Sequence, residues 1–194
     1  MAVQADVAQE SQVLAMFEKI DAKFGRLTAL VNNAGVVDRT TRVDALSLER
    51  LQRMFAVNVF GAFLCAREAV KRMSTRYGGA GGAIVNVSSA AARLGSPGQY
   101  VDYAAAKGAI DTFTLGLAQE VAAEGIRVNA VRPGIIDTEI HASGGLPDRA
   151  RALAPQVPLQ RPGTAEEVAE SILWLLGEQS SYTTGALLDV AGGR

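Results

Sequence analysis

The chain has 194 residues, 48% hydrophobic and 20% charged, enough to bury one substantial core and ordinary for a soluble α/β protein. Lysine plus arginine (19) nearly balances aspartate plus glutamate (20), which leaves no basic excess for nucleic acid or an anionic membrane surface and favours a small-molecule partner. A single cysteine, Cys65, excludes an internal disulfide framework, and a single histidine, His141, excludes a multi-histidine metal site.

Ala2 to Ala5 reads as the end of a strand, with Asp6 just beyond it. Val13, Leu14, Phe17 and Ile20 then recur at the spacing of an amphipathic helix ending near Phe24 and Gly25. Thr28 to Asn32 is an apolar strand that runs into Asn33-Ala34-Gly35. Ser47 is suited to cap a helical region reaching about Met73, with Asn58 inside it and Cys65 on an apolar, core-facing stretch. Gly78 to Gly82 precedes a strand, whereas a phosphate-cradling loop follows a strand and opens a helix, so this segment reads as a flexible connector. Ile84-Val85-Asn86-Val87 has strand character and ends on two hydroxyls, Ser88 and Ser89.

A helix from Tyr103 to about Ala123 carries Ala105, Ile110, Phe113, Leu115, Leu117, Ala118 and Val121 on more than one face, a pattern that calls for burial against more than its own sheet. The strand Ile126 to Val131 leads into Arg132-Pro133-Gly134. Residues 135–163, interrupted by Gly144, Gly145, Pro147, Pro155, Pro158 and Pro162, read as an irregular lid, with His141 in a lid or surface role. A helix from about Ala165 to Leu176 and a strand from Ala186 to Val190 complete one domain, 1–194. No basic-then-apolar signal or bilayer-length apolar run occurs, so a cytoplasmic location is expected.

The chemistry concentrates in Tyr103-Ala104-Ala105-Ala106-Lys107, where tyrosine and lysine lie one helical turn apart on one face. A phenol titrates near pH ~10, so a tyrosine exchanging a proton near neutrality needs a neighbouring positive charge. Alone, such a pair is an ordinary surface feature of an alanine-rich helix. Here it follows a strand ending in Ser88-Ser89, and a second strand ends in Asn32-Asn33-Ala34-Gly35. In an open parallel sheet, ligands gather at such carboxyl ends.

With these motifs in this order, the chain resembles the short-chain dehydrogenase/reductase family in its compact single-domain branch, closest in look to glucose dehydrogenase-like and 3-oxoacyl reductase-like members. The resemblance runs from Gln4 to Gly193. It implies a Rossmann-like, doubly wound parallel α/β sheet and an oxidoreductase that interconverts a carbonyl and a secondary alcohol with NAD or NADP. It assigns Tyr103 as general acid or base, Lys107 as its charge partner and ribose ligand, Ser89 as the hydrogen-bond donor to the substrate oxygen, and Asn58 as a relay that positions Lys107 through water. The gap of thirteen residues between Ser89 and Tyr103 is one longer than the family's usual gap, and the extra residue is placed in the loop Gly95 to Tyr100.

For the cofactor, the resemblance implies Asp6 and Val7 beside the adenine and Asn33, Ala34 and Gly35 along the ribose and phosphate path. Pro133, Gly134, Ile136 and Thr138, with Tyr103 and Lys107, would hold the nicotinamide end. Asn32 is expected to brace adjacent strands. Taken singly, Asp6 also reads as a helix-start residue, Asn32-Asn33 as a turn and Pro133-Gly134 as a strand terminator. A homodimer or homotetramer packed through the Tyr103 helix and its neighbour is the implied assembly.

The departure lies at the amino end, where the family's first strand, glycine-rich turn, helix and second strand have no counterpart, a unit of roughly 30 residues or more. No T-G-x-x-x-G-x-G occurs. In the family order 3-2-1-4-5-6-7 the missing strands separate the Ala2 strand from the Thr28 strand. The expectation is therefore an N-terminally truncated sheet, with either a bare edge at Ala29-Leu30-Val31 or the first strand docked there. The corresponding alternative function is a non-catalytic, oligomerising homologue that binds dinucleotide poorly. A Ser-Lys hydrolase lacks a nucleophile elbow and leaves Asn-Asn-Ala-Gly unexplained.

Overall fold

Four short apolar segments pair side by side, all parallel, in the order β1 (Ala29–Asn32), β2 (Gly82–Val87), β3 (Ile126–Pro133) and β4 (Leu187–Val190) in a computed structural model describing residues 1–194. Parallel neighbours need crossover connections, and helices supply them. In chain order these are α1 (Glu10–Phe24), α2 (Leu48–Phe55), α3 (Gly61–Met73), α4 (Ala91–Leu94), α5 (Val101–Val121), α6 (Ile140–Ser143), α7 (Arg149–Leu153) and α8 (Ala165–Leu176).

Because successive strand side chains point to opposite faces, β2 and β3 feed two cores. Ile84, Ile126 and Val128 pack with Val13 and Phe17 of α1, Cys65, Ala69 and Met73 of α3, and Ala118 and Val121 of α5. Val85 and Val131 face the other way, against Val168 and Leu175 of α8. Each such fully buried aliphatic or aromatic side chain contributes about 1.5–3 kcal/mol relative to exposure. Cys65 is core, as expected, and burial pushes its thiol pKa up.

Local chemistry sets the helix ends. Ser47 Oγ accepts from the Arg50 amide to start α2. A capping box between Thr164 and Glu167 starts α8. At the other end of α8, the half-buried guanidinium of Arg127 on β3 donates to the carbonyls of Leu175, Leu176 and Gly177 and to Ser180 Oγ, locking the helix to the sheet. The helical region expected from Ser47 to about Met73 runs as α2, a π-helical turn at Ala56–Phe60 that contains Asn58, and α3.

The amino end corrects one expectation. Met1 to Asp6 forms no strand, and β1 terminates the sheet with its outer edge bare. A strand requires a partner ladder, and Ala2 to Ala5 has none. The Asp6 amide donates to Gln12 Oε1 and Asp6 Oδ1 accepts from the Ala8 amide, which makes a turn leading into α1. The glycine segment at Gly78 to Gly82 is a connector, with Gly78 and Gly81 at positive φ and no room at Gly81 for a Cβ, which would collide with the Gly125 carbonyl. No helix is long and apolar enough to cross a membrane.

Candidate active site

The carboxyl ends of β1, β2 and β3 open onto one cavity of about 680 Å3, roofed by residues of 135–149 and walled by α8. Ser89, Tyr103, Lys107, Asn33, Gly35, Pro133, Gly134, Ile136 and Thr138 all line it. Asp6, Val7, Ala34 and Asn58 are outside the lining. Val7 instead packs into the close approach that the absence of a side chain at Gly61 permits, where an added Cβ would lie 2.6 Å from Val7 Cγ2.

The two serines that close β2 diverge. Ser88 is buried and its Oγ donates to the Lys107 carbonyl at 3.2 Å, so it fastens the strand to α5. Ser89 Oγ accepts from the Ala91 amide at 3.1 Å and lines the cavity with Tyr103. Burial raises the Tyr103 pKa, and the Ser89 hydroxyl opposes that rise. The phenol is thus held protonated in this state.

Lys107 is buried, and that desolvation lowers its pKa from 10.5 to about 8 against an opposing pull from Asp111 one turn along α5. Its Nζ donates to the Val87 carbonyl at 2.8 Å and lies 5.6 Å from the centroid of the Tyr103 ring. An ammonium has three donors, so the bond to Val87 leaves two without a protein acceptor at the cavity wall. Asp111 is itself held by Arg132 at 2.8 Å, while its Oδ1 is buried without a partner.

Asn58 reaches the site through the backbone of the β1 loop. Its Oδ1 accepts from the Val36 amide at 3.1 Å, and its Nδ2 donates to the carbonyls of Val36 (2.9 Å) and Met54 (3.0 Å). A Cβ on Gly35 would stand 2.8 Å from Asn58 Oδ1 and 3.5 Å from Lys107 Nζ, so this loop lies flush against both. Asn32 braces strands: it bonds Asn86 Oδ1 at 2.9 Å, Asn86 bonds Thr114 Oγ1 at 2.9 Å, and Thr114 closes onto Ile110 of α5. Register Asn32↔Asn86 puts this ladder directly beneath the loop.

The segment 135–163 is pinned at its base, where Ile136 bridges Gly163 and the Asp137 amide donates to the Gly163 carbonyl at 2.9 Å. His141 lines the cavity but is tied by Nε2 to the Ile136 carbonyl. Three wall features have no counterpart in the sequence reading: Val87 as the anchor of Lys107, Arg149 on α7, and the Ile172, Leu173 and Leu176 face of α8. The last was signalled by α8 being more apolar than one core stripe requires. No Asp or Glu lines the cavity, and no group of three or more His, Cys, Asp or Glu is arranged to hold a metal.

Residues 1–194 match a family model described as enoyl-(acyl carrier protein) reductase. An uncharacterized oxidoreductase of Escherichia coli, YgfF, is 59% identical over 192 residues, covering 99% of this chain and 78% of that protein. The cis-4-hydroxycyclohexanecarboxylate dehydrogenase of Sinomonas cyclohexanicum is 40% identical, covering 98% and 75%. Among solved structures, the 3-ketoacyl-(acyl-carrier-protein) reductase of Brucella melitensis complexed with NADH superposes with a TM-score of 0.93 at 32% identity, over 100% of this chain and 78% of that one.

Proposed function

The chain belongs to the short-chain dehydrogenase/reductase family, and from that premise we propose that it interconverts a carbonyl and a secondary alcohol with NAD or NADP, using Tyr103 as the proton donor and acceptor. The observation that carries the reading is the meeting of Ser89, Tyr103 and Lys107 in one largely apolar cavity.

The residues present fit an anionic nucleotide. Lys107 lines the cavity with donors left over from its bond to Val87, the Gly35 backbone approaches without a side chain, and no Asp or Glu side chain repels a phosphate. Asn33, Gly35, Pro133, Gly134, Ile136, Thr138, Tyr103 and Lys107 would hold it. When bound, the nicotinamide supplies or accepts the hydride.

In the reducing direction, the Ser89 hydroxyl donates to the substrate oxygen as negative charge grows there. Tyr103 gives its phenolic proton to that same oxygen. The Lys107 ammonium steadies the phenolate left behind, and the Val87 carbonyl fixes where that charge sits. Asn58 positions the Asn33–Val36 backbone rather than touching a reactant. Residues 135–163 act as a lid hinged on the Ile136 and Gly163 bridge, excluding water from the proton transfer.

A homo-oligomer belongs to the same proposal. Phe63 of α3 and Phe113 of α5 stack with centroids 3.8 Å apart, and Phe63, Phe60 and Leu115 are exposed, apolar groups on these two helices suited to a second copy. A reducing, cytoplasmic setting suits the single buried thiol. Calorimetric titration with NADPH and NADH tests the reading. Micromolar binding of either supports it, and no binding at millimolar nucleotide refutes it.

A further inference from the structure

The roof of the cavity carries a cation that the proton chemistry does not use. Arg149 opens α7, is half-buried, and lines the cavity together with the apolar side chains of Leu94, Ile140 and Leu173. Its guanidinium lies 5.1 Å from the centroid of the Tyr100 ring, and its Nη2 donates to Gln99 Oε1 at 2.7 Å. Gln99 and Tyr100 belong to the loop that delivers Tyr103. The roof is thus fastened to the same loop that brings the reactive phenol.

A guanidinium has five N–H donors, and here one of them has a protein acceptor. The side-chain partners of Arg149 are Gln99 and the Tyr100 ring, neither of them a carboxylate, and no Asp or Glu lines the cavity, whose other arginine is Arg194. The Tyr100 ring on one side and the bond to Gln99 on one edge restrict the guanidinium, so its remaining donors are oriented in advance. A pre-oriented, unpaired fork at the rim of an apolar cavity is suited to a bidentate carboxylate.

We propose that Arg149 is the specificity-determining residue of the site and that the substrates are oxo acids and their hydroxy acid counterparts: an apolar body with the reacting carbon at Tyr103 and a carboxylate on Arg149. This rests on the carbonyl and alcohol reading above. It adds that a neutral ketone of the same shape is a poor substrate. The carboxylate takes no part in the redox step. It gives the substrate one orientation, so that binding energy remote from the reacting carbon is used to place that carbon.

The probes are 4-oxocyclohexanecarboxylate and its neutral methyl ester. Binding is read by saturation-transfer NMR on the protein alone, and turnover by NADPH or NADH consumption. The wild type is expected to bind and reduce the acid better than the ester, and Arg149→Gln to lose about tenfold or more for the acid with little change for the ester. Gln99→Ala removes the fastening but keeps the cation, so it is expected to retain the preference for the acid. Parallel losses for both probes in Arg149→Gln and Gln99→Ala would reduce Arg149 to a fastener and overturn the proposal. Weakened NADPH or NADH binding in Arg149→Gln with unchanged acid preference would also overturn it, by assigning the fork to a nucleotide phosphate. Binding of the acid that depends on Arg149 without any turnover would support this inference while defeating the oxidoreductase reading. Turnover without discrimination between acid and ester would do the reverse.

Discussion

Lys107→Met isolates the buried charge at the centre of the site. In the folded protein Lys107 has a pKa of about 8, against 10.5 for an unburied lysine, because burial disfavours its ammonium. Below pH ~8 both folded and unfolded chains carry the proton, so the full cost of burying the charge weighs on the fold. Between about pH 8 and pH 10.5 the unfolded chain still binds the proton and the folded chain has released it, so unfolding free energy rises with pH. Each pH unit in that interval adds about 1.4 kcal/mol. From pH 8 to pH 10 the wild type should therefore gain about 2–3 kcal/mol relative to Lys107→Met, which has no proton to release. The substitution also strands the Val87 carbonyl, at about 1–3 kcal/mol, but that term does not vary with pH. Urea unfolding of both proteins at four pH values between 7 and 10 measures the difference. Parallel pH profiles would show that Lys107 is solvated in the folded state, and the argument from its burial would fail.

Two other substitutions test the neighbourhood. Ser89→Ala should lower turnover by about a hundredfold, as for loss of a preorganised donor to a developing oxyanion. Ser88→Ala, whose Oγ serves the Lys107 carbonyl, should cost about 1 kcal/mol of stability and far less turnover; steady-state kinetics on both reads the contrast, and its inversion would reassign the serine. Asp102→Ala leaves Arg50, bonded at 2.8 Å and largely buried, without its carboxylate at the start of α5, and should destabilise the fold by about 3 kcal/mol or more in urea titration.

The parts of this molecule that sequence shows well are those that local chemistry decides. The cap at Ser47, the strand ends at Asn32 and Val87 and the span of α8 follow from side chains acting on their own backbone or from uninterrupted periodicity. Ala2 to Ala5 fails as a strand because pairing is a property of two segments, and no neighbour reaches it. The π-turn at Ala56–Phe60 escaped for a related reason: the groups that Asn58 bonds include Val36, which is distant in sequence. Ser88 and Ser89 are chemically equal in sequence and differ only once α5 is packed against β2. The direction of the Tyr103 pKa is also a tertiary property. A lysine at i+4 suggests a lowered value, whereas burial raises it and Lys107 pays its own desolvation cost. Arg149 carries no local motif and acquires meaning only when the roof folds back over Tyr100.

Deuteride transfer bears most directly on the central claim that Tyr103 protonates a carbonyl oxygen while a nicotinamide delivers hydride. With NADPH or NADH carrying two deuteriums at C4 and a panel of oxo acids, mass spectrometry should find one deuterium on the carbinol carbon of the product. The rate should fall about a hundredfold or more in Tyr103→Phe. Product without deuterium, or a Tyr103→Phe variant that matches the wild type, would contradict the account.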